Sequence, residues 1–174
     1  MLFCGINPGL YTAAIGHHFG RPGNRFWKVL HLAGFTEREL SPYEERELLR
    51  YGYGVTNLVN FATARADELD GEDLVRGGLR LARTARRSRP RIVAILGMDA
   101  YRRAFGVRRV AVGEQDERLG ETRVWVLPNT SGLQASYALA DLVRLFGDLR
   151  HAVSAEARSG RDRAARAHRV PARR

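Results

Sequence analysis

The chain has one cysteine in 174 residues, Cys4, so no internal disulfide can form. That thiol sits inside the apolar run Leu2-Phe3-Cys4-Gly5-Ile6 and reads as a small buried hydrophobe. No apolar run approaches the roughly 18 to 20 residues that a membrane span needs. The N-terminus also lacks a basic segment followed by an apolar one. The expectation is a cytoplasmic protein with no membrane partner (nucleoid-associated if bacterial). Neither G-x-G-x-x-G nor G-x-x-x-x-G-K-[ST] occurs, so dinucleotide and P-loop readings lack their phosphate-cradling backbone. Ser131 lies in Asn129-Thr130-Ser131-Gly132-Leu133 and not in a G-x-S-x-G elbow, which argues against a serine hydrolase. Carboxylates are scarce near the predicted strand ends, which argues against a paired Asp/Glu mechanism. The adjacent His17 and His18 with Cys4 make a poor metal set, and no metal is expected.

Lysine is nearly absent as well: Lys28 stands alone, and arginine supplies the rest of a net charge of +10. Such a balance favours an anionic partner, with nucleic acid the commonest for a soluble protein. The charge is uneven. Residues 154–174 carry seven arginines against Glu156 and Asp162, half of the excess, with Val170 the only large aliphatic residue. That composition buries too little apolar surface to offset ordering entropy, so the reading is a domain over 1–153 and a disordered arginine-rich tail over 154–174.

Four apolar runs read as strands: Leu2 to Ile6, Tyr53 to Val59, Arg91 to Gly97 and Thr122 to Leu127. They are continuous rather than alternating, the pattern of strands covered on both faces. Helices fill the gaps. One runs from Arg25 to Ala33 behind an Asn24 cap, and a second from Pro42 to Arg50. A third runs from about Glu72 to Arg89, with Gly77-Gly78 where a neighbour approaches closely. Met98 to Phe105 and about Gln134 to Leu149 complete the set. Strands alternating with helices predict an α/β fold, a three-layer α/β/α sandwich around a mostly parallel sheet.

In an open α/β sheet the working crevice lies beyond the carboxyl ends of the strands. Three strand ends carry unusual polar residues: Asn7-Pro8-Gly9, Thr56-Asn57 and Asn129-Thr130-Ser131-Gly132. A parallel sheet brings all three to one edge. On residues alone each has an ordinary reading: Asn7 in an Asx turn, Phe19 and Leu133 in the core, His17 and His18 in a loop.

Taken together, Phe3-Cys4-Gly5-Ile6-Asn7-Pro8-Gly9-Leu10, the stretch Gly16 to Leu30, Gly54 to Val59, Arg91 to Gly97 and Trp125 to Leu133 resemble, in order and spacing, the mismatch-specific uracil/thymine-DNA glycosylase family. This is the Mug and thymine-DNA glycosylase branch of the uracil-DNA glycosylase superfamily, and the resemblance covers about residues 2 to 150. It implies the same three-layer fold and a monomer acting on double-stranded DNA without metal or cofactor. The reaction implied is hydrolysis of the N-glycosidic bond of uracil, with thymine and modified pyrimidines as further candidates, opposite guanine.

The resemblance also assigns roles. Asn7 would hold the water that attacks the sugar, and the backbone of Ile6 would donate to the base. Phe19 would stack on the base, Asn57 would contact the pyrimidine edge, and Thr12 would wall the 5-position. His18 matches a histidine of the thymine-DNA glycosylase branch. In the late loop, Leu133 would be the wedge entering the DNA stack, with Asn129, Ser131, Gly132 and Gln134 on the DNA beside it. Two positions depart from the pattern: Thr130 stands where many members have proline, and Ala135 where they have arginine. Lys28, inside a helix, offers no lyase nucleophile, so a monofunctional enzyme is expected. Family members have several residues ahead of the first strand, so an upstream start is expected. A non-catalytic module that senses damaged or mismatched DNA is the alternative reading.

Overall fold

A computed structural model describes residues 1–132 and 136–167, with side chains described to Ser154. Five strands form one sheet: β1 (Leu2–Gly5), β2 (Gly54–Asn57), β3 (Ile92–Leu96), β4 (Gly113–Leu119) and β5 (Thr122–Leu127). Their order is β2-β1-β3-β5-β4. The first four in that order are parallel, with Phe3 beside Val55 and Ala94, and Ala94 beside Trp125. β4 closes the edge antiparallel to β5, with Leu119 opposite Thr122. The α/β fold with a mostly parallel sheet and helices on both sides is therefore the one expected.

Strand β3 is buried at every residue, which its uninterrupted apolar sequence requires. Side chains alternate between two cores. Phe3, Ile92, Ala94 and Leu96 face α2 (Phe26–Leu32) and α5 (Leu139–Ala167) through Phe26, Leu30, Leu142 and Phe146. Cys4, Val93, Ile95 and Val126 face α3 (Gly71–Ser88) and α4 (Met98–Phe105) through Leu74, Leu81 and Tyr101. Burial pushes the Cys4 thiol up, away from the thiolate, in keeping with a packing role. Phe3 is the hub of the first core, edge-on to Phe26 at 5.4 Å and Phe35 at 5.5 Å, and stacked with Phe146 at 6.2 Å.

The glycine pair of α3 works as its sequence suggested. A Cβ on Gly77 would lie 2.4 Å from the Leu58 carbonyl oxygen, and one on Gly78 would lie 2.9 Å from that of Ala104. The helix can therefore lie directly on the end of β2 and on α4. Asp70 caps it by accepting from the Asp73 amide at 2.6 Å.

Several local features differ from expectation. The Pro42–Tyr51 segment is a 3-10 helix, opened by a reciprocal box between Ser41 and Glu44. Hydrogen bonds from Arg38 and Ser41 hold the Glu44 carboxyl down to about 2. Asn24 lies one residue ahead of the observed cap, Arg25, yet its side chain still accepts from the Phe26 amide at 3.0 Å. A short helix, α1 (Leu10–Ile15), fills what read as loop. Strand β4, Gly-Glu-Gln-Asp-Glu-Arg-Leu, was not foreseen because an exposed edge strand carries charge instead of an apolar run. Helix α5 continues to Ala167. Its alanines and arginines favour helix, and extending an existing helix avoids the cost of nucleation.

Candidate active site

The carboxyl ends of β1, β2 and β5 open on one cavity of about 290 Å³. Ile6, Asn7, Thr12, Phe19, Asn57, Asn129 and Ser131 all line it, so residues drawn from four separate stretches converge as the parallel topology demands. The volume suits a single-ring base with a water more than a dinucleotide; small-molecule pockets start at about 300 Å³.

Pairing between the first two strands runs on past their ends, with Leu58 N donating to Gly5 O at 2.9 Å and Val59 N to Ile6 O at 2.8 Å. Pro8-Gly9 then turns the chain into α1, whose first turn closes with Ala13 N on Gly9 O at 2.9 Å. Asn7 is left at the bend. Its Nδ2 donates to Thr63 Oγ1 at 2.8 Å and to the Phe61 carbonyl at 3.3 Å. The Phe61 oxygen can only accept, so the NH₂ end of the amide must face it. Thr63 in turn spends its hydroxyl proton on the Arg65 carbonyl at 2.6 Å. The relay leaves Asn7 Oδ1 as the acceptor end of a fixed amide, with no protein donor to it among the described residues.

Gly5 lets two further groups close over the floor. A Cβ there would lie 2.5 Å from Asn57 Oδ1 and 3.0 Å from the edge of the Phe19 ring. Phe19 has φ +55°, a left-handed backbone unusual for an aromatic residue. Its ring stacks on Phe26 at 3.9 Å and 23°, which braces one face. Thr12 is buried, and its hydroxyl accepts from the Arg21 amide at 3.2 Å.

His18, expected against the substrate, does not line the cavity. Its backbone amide donates to Glu45 Oε2 at 2.8 Å and its Nδ1 lies 3.0 Å from the same oxygen. Its carbonyl accepts from Trp27 Nε1 at 3.3 Å. His17 Nδ1 sits 3.6 Å from the other Glu45 oxygen, with its ring edge-on to Tyr43 at 4.9 Å. Burial pushes the Glu45 carboxyl up. Hydrogen bonds from the His18 amide and ring, with the charge of both histidines, outweigh that and hold it below the usual carboxylate range. The histidine pair therefore anchors the strained Phe19 turn to the Pro42–Tyr51 helix.

The late loop is tied to the start of α2. Thr130, fully buried, donates from its hydroxyl to Asn24 Oδ1 at 3.0 Å, and its carbonyl accepts from Arg25 N at 3.0 Å. A threonine at this position thus contributes a hydrogen bond that proline could not. Asn129 Oδ1 accepts from the Ser131 amide at 2.9 Å in an Asx turn. Gly132 approaches Gly23 so closely that a Cβ would lie 2.7 Å from its carbonyl oxygen. Arg25 reaches the Ser131 carbonyl at 3.4 Å and the Tyr137 carbonyl at 2.7 Å, bridging both ends of the loop. Leu133 and Gln134, expected to form the wedge, lie outside the described residues, as does Ala135.

Three charged side chains line the cavity: Arg21, Arg65 and Asp67. Asp67 is held by Arg65 through a fork of 3.1 and 2.6 Å. Among the described residues Asp67 is the one carboxylate that lines the cavity and it is ion-paired, so the groups on offer are mainly oriented amides, hydroxyls and an aromatic face. Thr63, Asn24 and Glu45 were not read from the sequence as site-building residues. Thr63 in particular sits in Asn60-Phe61-Ala62-Thr63-Ala64-Arg65, which carries no motif. A family model for the uracil DNA glycosylase superfamily matches residues 1–150.

Proposed function

Because the chain belongs to the uracil DNA glycosylase superfamily, we propose that this DNA glycosylase excises uracil mispaired with guanine in double-stranded DNA and leaves an abasic site. The target nucleotide is flipped out of the duplex, since its glycosidic bond is unreachable within the stack. Phe19 stacks on the base, and Asn57, on the far side of Gly5, meets the pyrimidine edge. Asn7 Oδ1 accepts a hydrogen bond from a water and aims it at C1′. The amide is too weak a base to activate that water strongly. The bond therefore breaks first, toward an oxocarbenium-like sugar and a uracil anion, and the water adds and loses its proton afterwards. Hydrogen-bond donors at the cavity floor, the Ile6 backbone among them, stabilise the departing anion. Leu133 fills the space left in the DNA stack. Thr12 sets how large a 5-substituent is accepted, so thymine and modified pyrimidines are tests of its size.

The observation that carries this reading is the Asn7 amide. Its NH₂ end is pinned by Phe61 and Thr63 and its oxygen is left over, in a cavity whose one carboxylate is already paired. The test is a labelled G·U duplex, incubated with the protein and heated in alkali to cleave abasic sites. Cleavage is expected, with Asn7→Ala losing about 100-fold or more in single-turnover rate while keeping duplex affinity. Asn7→Ala as active as the parent would overturn the assignment. Tight G·U binding with no abasic product from the intact protein would favour the non-catalytic damage sensor.

A further inference from the structure

Between Asp73 and Asp99 the chain has no acidic residue and seven arginines. Two of these are occupied. Arg76 pairs with Glu72 and Asp73, and Arg80 donates to the carbonyls of Asn57 and Leu58. The other five, Arg83, Arg86, Arg87, Arg89 and Arg91, are exposed and make no ion pair among the described residues. They lie at the end of α3 far from the base cavity. The helix starts four residues after Asp67, which lines that cavity, and runs about 27 Å at 1.5 Å per residue. Arg91 then precedes β3, and its carbonyl accepts from the Arg123 amide at 3.1 Å, so the cluster marks the amino edge of the sheet.

Two neighbours extend this surface. Arg89 and Arg91 share a cavity of about 570 Å³ with Val153, from which α5 continues into its arginine-rich stretch. Arg86 packs on the β4–β5 turn, 3.6 Å from the site of a Cβ on Gly120; the adjacent Glu121 is the one acidic group of that turn and forms no ion pair with it among the described residues. Five like charges within nine residues repel one another. A polyanion would relieve that repulsion and gain from counterion release.

We propose that Arg83, Arg86, Arg87, Arg89 and Arg91 bind the phosphate backbone of a second DNA segment while the first occupies the base cavity, so that one molecule bridges two duplexes. That the polyanion is DNA rests on the glycosylase reading. That it is a second segment rests on the geometry. DNA is stiff over about 150 base pairs, so a duplex seated on the carboxyl edge does not wrap to the amino edge.

The test uses the full chain and undamaged DNA. Protein bound to an immobilised short duplex is offered a second, fluorescent duplex, and retention is measured over a salt series. The parent is expected to retain it. The variant Arg83→Gln, Arg86→Gln, Arg87→Gln, Arg89→Gln and Arg91→Gln is expected to retain about tenfold less, with a flatter salt dependence. Its uracil excision on a free short duplex should stay within about twofold of the parent. The milder pair Arg87→Gln and Arg89→Gln, with an unchanged thermal melt, should give a partial loss and guards against misfolding. Retention by the five-site variant equal to the parent, or saturation at one duplex per protein, overturns the proposal. So does arginine-dependent binding to anionic phospholipid vesicles with no bridging. Bridging without any excision sinks the glycosylase reading and leaves the patch standing; excision without bridging does the reverse.

Discussion

At the scale of single residues, the site depends on side chains that fix the direction of other side chains. Thr63 is the clearest case, because its hydroxyl accepts from Asn7 while its proton is committed to Arg65. Replacing it with valine keeps the shape and removes the acceptor. We expect Thr63→Val to lower kcat by about 10- to 100-fold with KM little changed, and Thr63→Ser to restore most of the loss, in steady-state excision assays. Glu45 acts one step further out, through His18 to the Phe19 turn. Glu45→Gln is expected to raise KM several-fold more than it lowers kcat. Its stability effect follows from the depressed carboxyl. Because the folded group titrates below its ordinary value of 4.5, its contribution is present above that pH and fades as pH falls toward the folded value. The difference in Tm between parent and Glu45→Gln should thus shrink from about pH 6 to about pH 3; a constant difference would mean the carboxylate charge is not what matters. Asn7 and Asn57 drew attention as polar residues at strand ends, and the roles expected of them and of Phe19 came from the motifs that carry the family resemblance. Thr63 and Glu45 were not, because each matters only through a partner 56 or 27 residues away.

At the scale of elements, local pattern and long-range packing divide the credit. The β5 and α4 bounds matched the apolar run and the Met98 to Phe105 pattern, since burial on both faces, or on one helical face, leaves a direct trace in composition. The Gly77-Gly78 pair announced a close neighbour without saying which one. The answer, Leu58 and Ala104, depends on the sheet order. It also decides a sign. In an isolated helix Gly→Ala gains up to about 1 kcal/mol. In α3 the new methyl meets a backbone carbonyl at 2.4 Å that is itself held by Arg80. Gly77→Ala should therefore destabilise by about 1–3 kcal/mol in urea unfolding, and net stabilisation would show that α3 shifts easily on β2. Charge hid strand β4, and α1 hid in a glycine-bounded turn too short to show helical periodicity.

At the scale of the whole molecule, the sheet separates two surfaces of different character. Its carboxyl edge holds a small cavity of amides and one aromatic face; its amino edge carries a row of exposed arginines. Between them lies a centre buried on both sides. Native-state hydrogen exchange should follow that order, with β3 amides the slowest because they sit between β1 and β5 under both cores, and β4 amides the fastest among the strands. Equal protection of β3 and β4 would mean the sheet opens as one unit. Convergence of the polar strand ends was legible once the strands were read as parallel. The arginine row was visible in the sequence as charge, but its position at the opposite end needed the direction of α3.

The same sheet order has a consequence for self-association. Both margins of the sheet are poor templates for another chain. β2 is only four residues long, and β4 carries four exposed charged residues, Glu114, Asp116, Glu117 and Arg118. An incoming strand would find either too few backbone groups to pair with or a fence of mixed charge. A chain of net charge +10 that acts on DNA gathers along that polyanion, where its molecules meet at raised local concentration. Blunt margins let it be concentrated there without its strands seeding β-aggregates.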